Sequence, residues 1–161
     1  PAERDDTVAW LREFPNLIIT RTFSKIHGLA GLRVGFAVAA PEIADLMNRV
    51  RQPFNVNNLA IAAASAALDD HLFVAESYQI NRRGMEQIVA GLKRLGLEHI
   101  PSHGNFVTFA VPDGTATNQK LLKRGVIVRP IGGYGLPNHL RVTIGLETEN
   151  ARFLAALERS L

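Results

Sequence analysis

The stretch Leu17 to Ala39, LIITRTFSKIHGLAGLRVGFAVA, constrains the fold more than any other part of this chain. Leu17-Ile-Ile-Thr20 is a continuous apolar and β-branched run, the pattern of a strand buried on both faces, as in a parallel sheet under helices. Arg33 to Ala39 predicts a second such strand, one that carries Arg33 inward. Between them lies a polar bend with the hydroxyls of Thr22 and Ser24, the amine of Lys25, and Gly28, Gly31 and Gly35. Strand-end turns in open α/β sheets are where ligands bind. Lys25 offers an amine that can condense with a carbonyl, and Arg33, with the two hydroxyls, suits a phosphate dianion. The pairing therefore fits a cofactor with an aldehyde at one end and a phosphate at the other. Each piece also has a plain structural reading. A lysine after a strand is usually solvated and glycine-rich bends are common, whereas an arginine in an apolar strand is rarer because it must find an anion.

The rest of the chain arranges itself around this bend. Asp5 to Phe14 predicts a short helix ended by Pro15-Asn16. Pro41 opens a helix through Arg51, with Ile43, Leu46, Met47 and Val50 on one face. Pro53 ends it, and Phe54 to Asn58 is a polar turn. Leu59 to Leu68 is an alanine-rich helix that is apolar nearly all round, which predicts burial at a subunit or domain interface. A long helix from about Leu72 to Leu95 follows, roughly 36 Å at 1.5 Å per residue. Asn105 to Val111 alternates like a strand, and Ala116 to Arg124 is a short helix stopped at Gly125. Val126 to Val128 and Leu140 to Ile144 are strands flanking a glycine-rich loop, and Glu149 to Ser160 is a closing amphipathic helix. The expected fold class is α/β: residues 1–53 as part of a larger sheet domain, and residues 54–161 as a smaller α+β domain.

Composition excludes several classes of function. The 18 Lys and Arg residues are scattered rather than clustered, and the aromatic residues (one Trp, two Tyr, eight Phe) are not interleaved with them, so no nucleic-acid face is expected. No apolar run approaches the ~20 residues of a membrane span. The absence of cysteine rules out disulfides and thiolate metal sites and fits a cytoplasmic setting. His71, His99, His103 and His139 lack metal-ligand spacing, so no metal site is expected, and His27 reads as a surface residue. Glycines 28, 31 and 35 do not form G-x-G-x-x-G, which disfavours a nicotinamide site. The chain opens at Pro1 without methionine and its first strong strand starts only at Leu17, which predicts a piece of a longer protein.

The run Thr22-Phe-Ser-Lys25-Ile-His-Gly28-Leu-Ala-Gly31-Leu-Arg33-Val-Gly35 resembles the lysine motif of fold-type I, pyridoxal-phosphate-dependent aminotransferases, with about ten constrained positions. The resemblance implies that Lys25 is the Schiff-base lysine and the base that moves a proton between substrate Cα and cofactor C4′. It also implies that Arg33 clamps the cofactor phosphate with help from Ser24 and Thr22. The tail, Gly125-Val-Ile-Val-Arg129-Pro, Gly133-Tyr-Gly135-Leu-Pro and His139-Leu-Arg141-Val-Thr-Ile-Gly145, is similar to the C-terminal signature of histidinol-phosphate aminotransferases. In that family the arginine at the Arg141 position binds the anionic group of the substrate, and the one at Arg129 lies close by.

The resemblance covers Trp10 to Leu161. It lacks the family's aspartate for the pyridinium nitrogen, its tyrosine on the cofactor hydroxyl and its asparagine, all upstream of Pro1. This chain alone is therefore expected to be a poor enzyme. The resemblance further implies pyridoxal 5′-phosphate as cofactor, a small amino-acid or phosphate-ester substrate, and a homodimer in which Asn55 and Asn57 approach the partner's site. The expected reaction moves an amino group between glutamate/2-oxoglutarate and imidazole-acetol phosphate in histidine biosynthesis. An aromatic amino-acid aminotransferase is the close alternative and a threonine-phosphate decarboxylase a more distant one. The alternative from another class is a non-catalytic dimerisation or assembly module.

Overall fold

The computed structural model describes residues 6–161, and the start of the helix expected from Asp5 lies outside that range. Within it, the segment before the first strand forms only a single 3-10 turn, Ala9–Arg12. Two compact units follow one another along the chain, the first running to Ala75 and the second covering Glu76–Leu161. Their junction lies beyond the polar turn at Gln52 to Phe54 where the sequence suggested a boundary.

In the first unit, β1 (Ile18–Thr22) and β2 (Gly35–Ala39) pair antiparallel, with Ile18 opposite Ala39 and Thr22 opposite Gly35. This corrects the expectation of buried parallel strands. Parallel neighbours need a crossover of a dozen or more residues, usually a helix. Residues 23–34 hold only tight turns and the 3-10 turn Ala30–Leu32, so the chain doubles back as a hairpin. In this chain Ile19 is the only buried residue of the two strands. α1 (Pro41–Val50) starts at its proline as the sequence required, and α2 (Asn58–Asp69) buries only Ala60 and Ala64. Leu59, Ile61 and Leu68 of the alanine-rich helix are exposed here, as is Phe54 in the preceding turn.

α3 (His71–Arg94) is the long helix, and it buries Gly84, Ile88, Gly91 and Leu92. In the second unit, β3 (His99–Ile100), β4 (Phe106–Ala110), β5 (Arg129–Pro130) and β6 (His139–Thr143) form an antiparallel sheet in the order β3-β4-β6-β5. Helices α4 (Gly114–Lys123) and α5 (Glu147–Glu158) complete it. Period-two alternation sorts the sheet residues. Val107 and Phe109 of β4, opposite Val142 and Leu140 of β6, enter one core with Ile88, Leu92, Leu121, Phe153, Leu154 and Leu157. Val126 to Val128, expected as a strand, forms no ladder, and Val126 N instead donates back to Leu121 O at 3.0 Å. The pairing begins only at Arg129, while Val128 is buried and Gly125 ends α4 in the left-handed region at φ 71°.

A buried amide fixes the turn into α5. Asn150 is 2% exposed; its Oδ1 accepts from Gly145 N at 3.0 Å and its Nδ2 donates to Gly145 O at 3.1 Å. α3 approaches this clamp closely at Gly84, where a Cβ would stand 2.8 Å from Asn150 Nδ2. Replacing Asn150 by Ala strands two backbone groups in a site with little access to water. Asn150→Ala should lower stability by about 1–3 kcal/mol in denaturant titration.

Candidate functional site

Two clusters carry the predicted residues, one in each unit. The first lies at the closed end of the β1–β2 hairpin. Phe23 N donates to Val34 O at 3.2 Å, fastening the residue before Ser24 and Lys25 against the residue after Arg33. Thr22, Ser24, Lys25 and Arg33 are thereby gathered on one loop. Thr22 Oγ1 accepts from Ser24 N at 3.1 Å, which leaves the threonine hydroxyl free to donate. Gly28 N donates to Lys25 O at 2.9 Å and closes a tight turn, with Gly28 at φ 70°. Lys25 stands exposed at the head of that turn and forms no ion pair among the described residues.

Arg33 differs from expectation. It precedes β2 rather than lying inside it, at φ 55°, and its side chain is exposed rather than turned inward. That conformation is uncommon for a residue with a side chain and is held by the surrounding turns. Its Nη1 donates to Ala30 O at 2.9 Å, closing the guanidinium over the 3-10 turn while its other N–H groups make no hydrogen bond among the described residues.

His27 is a second correction. It is half-buried, its ring 5.0 Å from that of Phe23, which in turn lies 5.8 Å from Phe36. The imidazole packs because the tight turn folds it back onto the buried Phe23, and its buried Nδ1 lacks a hydrogen-bond partner among the described residues.

Asn57 has a structural task. It caps α2, accepting from Ala60 N at 2.8 Å, and its Nδ2 reaches Leu32 O at 3.4 Å, beside Arg33. An asparagine directly before a helix is an N-cap pattern, a structural role beyond the polar turn and the partner-facing position expected for Asn57. Asn55 accepts from Arg51 Nη1 at 3.4 Å.

The second cluster lies on the sheet face opposite the core. Arg129 and Arg141 are direct cross-strand partners, and Thr108 flanks Arg141 on β4. Like charges facing each other across a ladder are unfavourable. No carboxylate pairs with either arginine among the described residues, where the ion pairs are Arg49–Asp45 and Arg82–Glu86. Two guanidinium groups without a counter-ion are ready to take an anion in bidentate fashion. Arg141 also lies over the Phe106 ring, 4.7 Å from its centroid, a partner found only through the pairing register. Among the described residues no group of three or more His, Asp or Glu could hold a metal, and no helix is long and apolar enough to cross a membrane.

Residues 2–157 match the family model for aminotransferase class I and II, and the chain belongs to that family. It is 77% identical over its full length to histidinol-phosphate aminotransferase 1 of Dechloromonas aromatica and 59% identical to histidinol-phosphate aminotransferase 2 of Nitrosospira multiformis. It spans 44% and 41% of those proteins, somewhat under half of their length. Among solved structures it resembles histidinol-phosphate aminotransferase from Sinorhizobium meliloti in complex with pyridoxal-5′-phosphate, with TM-score 0.84 and 30% identity over 91% of this chain and 41% of that one. The histidinol-phosphate aminotransferase of Clostridium acetobutylicum matches with TM-score 0.89 and 27% identity over 96% of this chain and 49% of that one.

The Asn57 cap tests how firmly the loop of the first cluster is held. Asn57→Ala should cost about 1 kcal/mol of stability. Amide hydrogen exchange should quicken at the start of α2 and at residues 30–33, while the second unit keeps its protection.

Proposed function

We propose that this chain supplies the lysine and the substrate arginines of a pyridoxal-phosphate-dependent aminotransferase acting between glutamate/2-oxoglutarate and imidazole-acetol phosphate, a step of L-histidine biosynthesis. The 77% identity to a histidinol-phosphate aminotransferase across the whole chain carries the reading. The two clusters support it. The hairpin end suits an aldehyde with a phosphate: Lys25 is exposed at a fixed turn, and Arg33 keeps N–H donors on the same loop as the Thr22 hydroxyl and the half-buried Ser24. Bound there, pyridoxal phosphate supplies an electron-withdrawing ring that lets a proton leave the substrate Cα.

The protein's own part is positioning and proton transfer. Arg33, Thr22 and Ser24 hold the phosphate and fix where the reacting carbon stands relative to Lys25. Lys25 Nζ, freed when the substrate amine takes its place, would take the proton from substrate Cα as general base and pass it on to cofactor C4′. Arg141, with Arg129 opposite it on the neighbouring strand, would receive the anionic end of the substrate and fix its orientation.

The same reading includes residues 1–53 as part of a larger cofactor-binding domain, residues 54–161 as the smaller domain, and a homodimer in the cytoplasm. Exposed apolar side chains of the first unit support an assembly that covers them. Phe54 is 98% exposed, with Val50, Leu59 and Leu72 each above three-quarters.

Because an arginine pair suits a carboxylate as well as a phosphate, substrate preference is the decisive test. In the full-length protein, kcat/KM for histidinol phosphate should exceed that for phenylalanine by about a hundredfold or more. Arg141→Ala should lower it by about a hundredfold. A preference for phenylalanine would instead identify an aromatic amino-acid aminotransferase.

A further inference from the structure

Arg141 is held in an unusual way for a cation that faces another cation. An ordinary arrangement would fix such a guanidinium with a carboxylate, but a carboxylate would occupy its N–H fork and cancel its charge. Here the partner is an aromatic face. The register sets Phe106 opposite Thr143 and Thr108 opposite Arg141, so the ring and the guanidinium are diagonal neighbours on the same side of the sheet. The guanidinium carbon lies 4.7 Å from the ring centroid, within the range of a cation–π contact. Such a contact grips the plane of the guanidinium and leaves the donors at its edge free.

The ring is itself seated. A Cβ on Gly104 would come 3.2 Å from Phe106 Cε1 and 3.5 Å from Cδ1, so the absent side chain at Gly104 makes room for the ring. Asn81 Nδ2, on α3, donates to Gly104 O at 3.2 Å, and Gly104 N donates to Ser102 Oγ at 3.1 Å. A chain of contacts thus runs from α3 through the loop backbone to the ring and on to the arginine.

We propose that Phe106 is a positioning residue for Arg141: its ring, seated on Gly104, fixes the plane of the guanidinium so that its free N–H edge receives the substrate phosphate. The inference rests on Arg141 being the substrate's anion site. The ring offsets the repulsion from Arg129 without spending a hydrogen-bond donor. It also explains why the arginine pair needs no acidic neighbour.

The test uses the full-length holoenzyme and two readouts: the affinity for inorganic phosphate, by calorimetry, and the KM for histidinol phosphate. Phe106→Met keeps an apolar side chain of similar reach and removes the π face, and Phe106→Tyr keeps the face. Phe106→Met should weaken phosphate binding and raise KM together by about three- to tenfold. Its kcat and melting temperature should stay near those of the parent, and Phe106→Tyr should behave as the parent does. Gly104→Ala, which pushes the ring from below, should shift both readouts in the direction of Phe106→Met. The proposal is overturned if Phe106→Met binds phosphate as the parent does, or if Phe106→Tyr loses as much as Phe106→Met. Arg141→Ala, measured alongside, separates the two levels. If it too leaves phosphate affinity unchanged, Arg141 is not the anion site; if it abolishes binding while Phe106→Met does nothing, only the role of the ring fails.

Discussion

The register between β4 and β6 decides what the second unit can be. Val107 faces Val142 and Phe109 faces Leu140, and these four close the core with the helices. The alternate positions, Phe106, Thr108 and Arg141, are turned to the other face, where Arg129 joins them from β5. A slip by one residue would exchange the two sets, burying a guanidinium in the core and exposing the apolar row, a cost no local rearrangement could offset. The hydrophobic effect that folds the unit is therefore also what aims its arginines. Burial of the core and placement of the arginines are coupled through one ladder of backbone hydrogen bonds.

The first unit works differently, because it fixes its chemical groups by turns rather than by a core. Phe23 is the pivot. It is buried, bonded through its backbone to Val34 and Leu29, and packed between His27 and Phe36. Everything polar in the loop is placed relative to it: Thr22 and Ser24 on either side in sequence, Lys25 on the tight turn, and Arg33 across the hairpin. A loop tied at this many points fixes the backbone from which Lys25 projects, while the exposed lysine side chain itself keeps its freedom.

Much of this was legible in the chain itself. Proline and glycine marked the start of α1 and the stop of α4, and the 3.6 period located α1, α3 and α5 to within a few residues. The Lys25 and Arg141 motifs pointed to the right family. What was not legible depended on partners far away in sequence. The run Leu17-Ile-Ile-Thr20 looks the same whether it pairs parallel or antiparallel, and only the short turns after it decide. Arg33 reads as part of a strand because Val34 and Gly35 do, although its own backbone turns left-handed just before the ladder starts. His27 looked like surface because nothing local shows that the turn folds it onto Phe23. Phe106 was one apolar residue among several until the register set its ring under Arg141.

Whether Lys25 is the group that holds the cofactor can be measured directly. The full-length protein would be loaded with pyridoxal phosphate, treated with borohydride, digested and mapped by mass spectrometry. The expected result is one phosphopyridoxyl group, on the peptide that contains Lys25, and none in Lys25→Ala. Label retained in Lys25→Ala, or found on Lys93, Lys120 or Lys123 in place of Lys25, would contradict it.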